Sequence, residues 1–292
     1  MTIDRTDALV STDWLAAHIN APDIRIVDAS YYLPNEAVNA RVLFEKAHIP
    51  TAVFFDIDEI SDTESPLPHM VPAPEKFASK VRRLGLGDGS RIIVYDQRGL
   101  FSAPRVWWLF RLFGHQDVAV LDGGLPKWQK EARAIESGPP RVTGERHFTA
   151  RLNNTMLREC DQIRRNLNNR REQVVDARAA DRFAGTAPEP RPSLRSGHIP
   201  GSANVPHQSL VNPKTGTLKD ADAILRIFKN AGIDPKKPVV ATCGSGVSAC
   251  TLALALRTAG AKDVAVYDGS WAEWGEPGDT PVETGPPTLS RS

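Results

Sequence analysis

The chain carries two copies of one pattern. Ile26-Val-Asp28-Ala in the first half answers Val174-Val-Asp176-Ala in the second, and His48-Ile-Pro-Thr-Ala answers His198-Ile-Pro-Gly-Ser-Ala. Further on, Ile92-Ile-Val-Tyr-Asp96 answers Val239-Val-Ala-Thr-Cys243, and Val120-Leu-Asp122-Gly-Gly-Leu-Pro-Lys-Trp128 answers Val266-Tyr-Asp268-Gly-Ser-Trp-Ala-Glu-Trp274. Four landmarks recurring in the same order restrict the fold to a duplicated domain. Each copy reads as helix, strand, long loop, helix, strand, helix and strand. Short apolar strands alternating with helices argue an α/β fold class, with a parallel sheet flanked by helices in each domain.

At 292 residues the chain has the length for two domains of ordinary size. The first is expected over residues 1–140 and the second over 155–292. A linker is expected over 141–154, introduced by the proline- and glycine-rich run Gly138-Pro-Pro-Arg-Val-Thr-Gly144. Residues 275–292 hold four prolines and no apolar periodicity, so they read as an irregular tail.

Composition narrows the function classes. The chain is 41% hydrophobic and 24% charged with a formal net charge of +1, a balance that gives no general electrostatic attraction to nucleic acid or to a membrane surface. No apolar stretch has the length of a bilayer span, and the opening Met-Thr-Ile-Asp-Arg-Thr-Asp lacks a signal-like apolar core, so a cytoplasmic location is expected. The three cysteines, Cys160, Cys243 and Cys250, show no C-x2-C spacing, which argues against both a disulfide framework and a metal site.

The chemistry gathers in Pro238-Val-Val-Ala-Thr-Cys243-Gly-Ser-Gly-Val-Ser248-Ala. Val239–Thr242 has a strand pattern and residues 249–257 a helix pattern, so Cys243 opens the loop between them. Two glycines let that loop curl and aim backbone N–H groups inward, and the positive end of the following helix faces the same hollow. Both effects favour an anion, and a Cys243 thiolate is that anion. A phosphate-binding loop would need a lysine after the glycines, which is absent. A cysteine phosphatase would need an arginine six residues after the cysteine, where this chain has Ala249. The first copy carries Asp96 in place of the cysteine, so that domain lacks the thiolate and is expected to be catalytically silent.

Cys243-Gly-Ser-Gly-Val-Ser248 resembles the active-site loop of the rhodanese superfamily, and within it the 3-mercaptopyruvate sulfurtransferase type, whose loop reads Cys-Gly-Ser-Gly-Val-Thr. Ser248 for threonine is the one departure. The thiosulfate-preferring branch has basic residues directly after the cysteine, where this chain has Gly244 and Ser245. The resemblance implies two tandem rhodanese-like domains and transfer of sulfur from 3-mercaptopyruvate, through a Cys243 persulfide, to a thiol, thioredoxin or cyanide. It implies no cofactor and no metal, with Gly244, Gly246, Val247 and Ser248 forming the loop around the substrate. Arg182-Phe-Ala-Gly-Thr-Ala-Pro-Glu-Pro-Arg191 resembles the family's carboxylate-binding segment, which puts that role on Arg182 and Arg191, with Arg195 a weaker candidate. A serine, histidine and aspartate relay would fall on Ser245, His69 and Asp58. Thiosulfate:cyanide transfer, a non-enzymatic persulfide carrier and a cysteine phosphatase are the alternatives.

Overall fold

The structure, a computed structural model, describes residues 8–142 and 144–286. They form two compact units. One comprises the residues through Thr63, Val71–Asn153 and Asn212–Leu218, and the other Glu64–Met70, Asn154–Val211 and the residues from Lys219 on.

The first unit runs β1 (Leu9–Val10), α1 (Thr12–His18), β2 (Ile24–Asp28), α2 (Ala40–Lys46), β3 (Val53–Phe54), α3 (Pro74–Arg83), β4 (Arg91–Tyr95), α4 (Ala103–Leu112), β5 (Val118–Leu121) and α5 (Gly124–Lys130). Its strands pair in parallel in the order β1-β5-β4-β2-β3. The second unit repeats the plan with β6 (Leu157–Arg158), α6 (Cys160–Asn169), β7 (Gln173–Asp176), α7 (Ala180–Ala184), β8 (Ala203–Asn204), α8 (Ala221–Asn230), β9 (Val239–Thr242), α9 (Ala249–Thr258), β10 (Val264–Tyr267) and α10 (Ser270–Trp274). Its order, β6-β10-β9-β7-β8, is the same one, again in parallel. Each sheet has five strands where the sequence pattern shows three. The missed edge strands are two residues long, too short to display any period.

Central strands and helices are apolar all round because they are covered on every side. All of β4 and β9 is buried, as is α9 from Ala249 to Leu256. Among the described residues, no helix is long and apolar enough to cross a membrane.

The two copies share their fastenings. His48 stacks on Phe44 at 4.1 Å, and its Nδ1 lies 2.8 Å from the Phe44 carbonyl. His198 does the same with Phe183, at 3.8 Å and 2.9 Å. Each histidine backbone also forms an antiparallel bridge to a later segment, His48 to Glu136 and His198 to Glu283.

One expectation about a connecting segment needs correction. Residues 144–153, expected within a linker, pack as part of the first unit. Phe148 is buried against Phe77 and Phe110, and the N–H groups of Arg151 and Asn153 donate to the carbonyls of Phe113 and Leu112 at 2.9 and 2.7 Å. The segment after α10 is irregular but fastened: Glu283 pairs with His198, and the Trp274 indole donates to Pro281 O at 2.8 Å. Residues 287–292 of the expected tail lie outside the described residues.

The first copy's Asp96 closes its own loop. Its carboxylate accepts backbone N–H groups from Arg98, Phe101, Ser102 and Ala103 at 2.8 to 2.9 Å. Stripping a buried group of its partner costs about 1–3 kcal/mol, so Asp96→Ala should lower the unfolding free energy by about 3 kcal/mol in denaturant titration. A loss below about 1 kcal/mol would mean that the carboxylate does not hold the loop.

Candidate active site

Cys243 stands at the carboxyl end of β9, the central strand of the second sheet, where ligand loops of parallel sheets collect. Its side chain is only 2% exposed, so the sulfur lies at the base of the loop and not on its outer face. Gly246 has φ +75°, a left-handed backbone that a side chain would strain, and this turn carries the chain from β9 into α9.

The start of α10 clamps this loop from behind. The Cys243 N–H donates to Ser270 Oγ at 3.1 Å, the Trp271 N–H to Cys243 O at 3.0 Å, and the Ala272 N–H to Gly244 O at 2.8 Å. Ser270 takes φ +51° to do so, as its counterpart Gly124 takes φ +54° in the first copy. There the Leu125 N–H donates to Asp96 O at 3.0 Å, the same clamp on the equivalent residue. Duplication thus puts the Cys243 side chain at the point where, in the first copy, four backbone N–H groups converge on the Asp96 carboxylate. A non-glycine residue held in this region costs of order 1–3 kcal/mol, and Ser270 keeps it because its hydroxyl also donates to Tyr267 O at 2.7 Å.

His69 and Ser245, both expected in the relay, meet. His69 Nδ1 lies 3.0 Å from Ser245 Oγ, and both side chains are buried. His69 itself has φ +62°, a left-handed conformation that turns the ring toward the loop. Asp58 belongs to the first unit, where its N–H donates to Asp56 Oδ1 at 3.1 Å and its carbonyl accepts the Ser61 hydroxyl at 2.6 Å.

Arg182, on α7, reaches the loop. A Cβ on Gly244 would stand 3.3 Å from the Arg182 Nη2, so the guanidinium occupies the space that glycine leaves open. Its partner is Glu189, whose Oε2 accepts from Nη2 at 2.6 Å. Glu189 is buried and also accepts from Arg178 Nη1 at 2.8 Å. Arg178 in turn is fixed by Asp176 and lies 4.3 Å from the Trp271 ring centroid. Burial works against the Arg178 charge, but Asp176 and Glu189 more than offset it and raise its pKa above the ordinary value.

Arg191 is half-buried in the segment after α7, and no carboxylate among the described residues pairs with it. Arg195 is not available for a substrate. Its guanidinium donates to Thr280 O at 2.8 Å and Trp274 O at 2.9 Å, a use as a strut for the segment after α10. Val247 is buried, and Ser248 caps the entry to α9 without a side-chain capping bond. Arg178, Glu189 and Ser270 are contributors that sequence reasoning missed. The nearest signal was Glu189 between two prolines in the arginine-bearing loop.

A cavity of about 690 Å³ opens at the amino ends of β9 and β10, lined by Arg158, Arg165, Pro238 and Lys262 among others. It contains none of the expected site residues and lies at the other end of the sheet from Cys243.

Comparison with known proteins agrees with this geometry. The rhodanese-like domain family matches residues 11–131 and again 159–277. Human 3-mercaptopyruvate sulfurtransferase is 45% identical over 273 residues, 91% of each chain, and rat thiosulfate sulfurtransferase 44% identical over 274 residues, also 91% of each. The crystal structure of SseA from Escherichia coli, a 3-mercaptopyruvate sulfotransferase with the rhodanese fold, matches with a TM-score of 0.83 and 42% identity. That match covers 92% of this chain and all of SseA. A duplicated parallel-sheet domain, one copy with a cysteine at the strand end and one with an aspartate, joins these likenesses over nearly the whole chain: the protein belongs to the rhodanese-like family of 3-mercaptopyruvate and thiosulfate sulfurtransferases.

Proposed function

We propose that the protein moves a sulfane sulfur from 3-mercaptopyruvate to a thiol, thioredoxin or cyanide acceptor through a Cys243 persulfide. The observation that carries this reading is the Arg182 guanidinium set against Gly244. It puts a cation for a carboxylate beside the loop, while Gly244 and Ser245 themselves remain uncharged. Thiosulfate, a compact dianion, calls for cations immediately around the sulfur, whereas mercaptopyruvate carries its carboxylate several bonds away. The human and rat relatives are almost equally similar to this chain, so overall identity does not choose the donor and the loop does.

In the first half-reaction the Cys243 thiolate attacks the thiol sulfur of mercaptopyruvate. The sulfur–sulfur bond forms, the carbon–sulfur bond breaks, and its electron pair stays with carbon as the enolate of pyruvate. The proton from the substrate thiol then passes to that carbon, releasing pyruvate and leaving a persulfide anion. Ser245 Oγ, oriented by His69, donates to the oxygen on which enolate charge develops, and Arg182 and Arg191 hold the carboxylate. Loop N–H groups steady the outer sulfur. In the second half-reaction the acceptor takes that sulfur and the Cys243 thiolate returns, so the cycle needs no redox partner and no cofactor.

Cys243→Ser should abolish pyruvate release, and mass spectrometry of donor-treated protein should find one added sulfur, on Cys243 and on neither other cysteine. Steady-state kinetics should favour mercaptopyruvate over thiosulfate in kcat/KM by at least about a hundredfold, the weight of two or three kcal/mol of carboxylate placement. Equal efficiencies would instead assign the thiosulfate reaction. Loss of one positioned donor typically costs about 10²–10³ in rate, so Ser245→Ala should lower kcat by that order. His69→Ala should cost a similar factor, and the double variant little more than either, because the two side chains act as one unit. Full additivity in that cycle would dissolve the pair.

A further inference from the structure

We infer that Glu189 is the positioning residue of the carboxylate site: it fixes the Arg182 guanidinium against Gly244 and thereby sets the affinity for the acidic donor. This inference rests on the reading of Arg182 given above and adds the group that makes it work.

Arg182 lies on a helix of five residues and is partly open to solvent, a position from which a long side chain ordinarily samples many rotamers. Here its Nη2 is tied to Glu189 Oε2 at 2.6 Å, with Nε at 3.4 Å from Oε1. Those contacts occupy one edge of the guanidinium, and among the described residues Nη1 has no partner and can meet a carboxylate. Glu189 is itself rigid. It sits between Pro188 and Pro190, it is buried, and its Oε1 receives Arg178 Nη1 at 2.8 Å. Arg178 is locked by Asp176 and by the Gly197 carbonyl at 2.8 Å, and its guanidinium lies over the ring of Trp271, whose backbone N–H donates to Cys243 O. One continuous set of contacts therefore runs from the backbone of Cys243, through Trp271, Arg178 and Glu189, to the fork beside Gly244.

The first copy supplies an internal control. Where the second copy has Asp176-Ala-Arg178, the first has Asp28-Ala-Ser30. There the Ser30 N–H donates to Asp28 Oδ1 at 2.8 Å, and no guanidinium follows. Both copies keep the strand-end aspartate and their histidine fastenings, so folding this domain does not require the arginine. Arg178 accompanies the copy that carries Cys243.

Gly244 completes the arrangement. Its backbone is not in the left-handed region, so the glycine is not needed for its conformation. Its missing side chain leaves room for Nη2, which a Cβ would approach to 3.3 Å.

The test is steady-state pyruvate release from 3-mercaptopyruvate, with Cys243 alkylation as a readout independent of turnover. Glu189→Gln keeps the shape but turns an amide toward one of two guanidinium donors, so KM should rise about tenfold or more with kcat within about threefold. Alkylation of Cys243 by iodoacetate, which carries a carboxylate, should slow relative to the parent protein, while alkylation by uncharged iodoacetamide should not. In an Arg182→Met background, Glu189→Gln should change KM by less than about twofold, since nothing is left to position. Thermal unfolding is recorded for every variant. If Glu189→Gln does not fold, Glu189→Asp takes its place, because it keeps the charge beside Arg178 and withdraws the carboxylate from Arg182. If Arg182→Met raises KM but the Glu189 variants leave it unmoved, the positioning role is overturned and the carboxylate reading stands. If Arg182→Met leaves KM unmoved, both fall together. Equal slowing of both alkylating agents would reduce Glu189 to a structural role and overturn the proposal as well.

Discussion

The structure depends on backbone N–H groups converging on the first side chain after a central parallel strand. In the first unit their target is visible: four of them close on the Asp96 carboxylate between β4 and α4. An array of this kind is a fixed field that favours negative charge, and it needs no reorganisation when charge appears. The second unit keeps the same strand end, the same clamp from the following helix and the same left-handed residue at its start. It puts a sulfur where the first keeps an oxygen pair. At the strand end itself the two loops differ by one residue, an aspartate in the first copy and a cysteine in the second.

Around that field the two units diverge in charge, not in fold. The shared parts are apolar or locally satisfied, such as histidines stacked on phenylalanines and bridges to the segments after the last helix. The unshared part is Arg178, Glu189 and the half-buried Arg182, which with the shared Asp176 make an alternation whose charges cancel in sum. Such a chain is weak evidence of stability, since each ion loses hydration on burial. Its geometry gives it a different use, which is to hold a guanidinium at a defined place beside a loop that has no cation of its own. Burial without a guanidinium has a visible consequence in the first copy, where the Asp28 carboxyl is pushed up to about 6 by desolvation despite its hydrogen bonds to Ser30.

Much of the architecture was legible because it was written twice. The β9 boundaries, the start of α9 and the duplication itself follow from apolar runs that can be compared within one chain. The short edge strands were not legible, since two residues have no period and owe their conformation to the neighbours they pair with. Residues 144–153 read as a linker by their composition and are instead fixed by Phe148, whose burial depends on Phe77 and Phe110 being close by. Arg195 shows the same limit from the other side. Next to Arg191 in a basic loop it looked like a substrate ligand, yet its donors are spent on carbonyls roughly eighty positions away in the chain.

What the sequence by itself determined was the repeated α/β domain and the placing of a cysteine at the end of one central strand. Strand, glycine loop and helix are local patterns, and a cysteine at the junction has few other reasons to be there. What only the tertiary structure decided was which charged and polar groups stand around that residue. His69 meets Ser245 across 176 positions, and Glu189 chooses Arg182 and Arg178 from several arginines close by. Local pattern carries the path of the backbone, but side-chain partnership is a matter of distance in space, and spacing along the chain does not encode it.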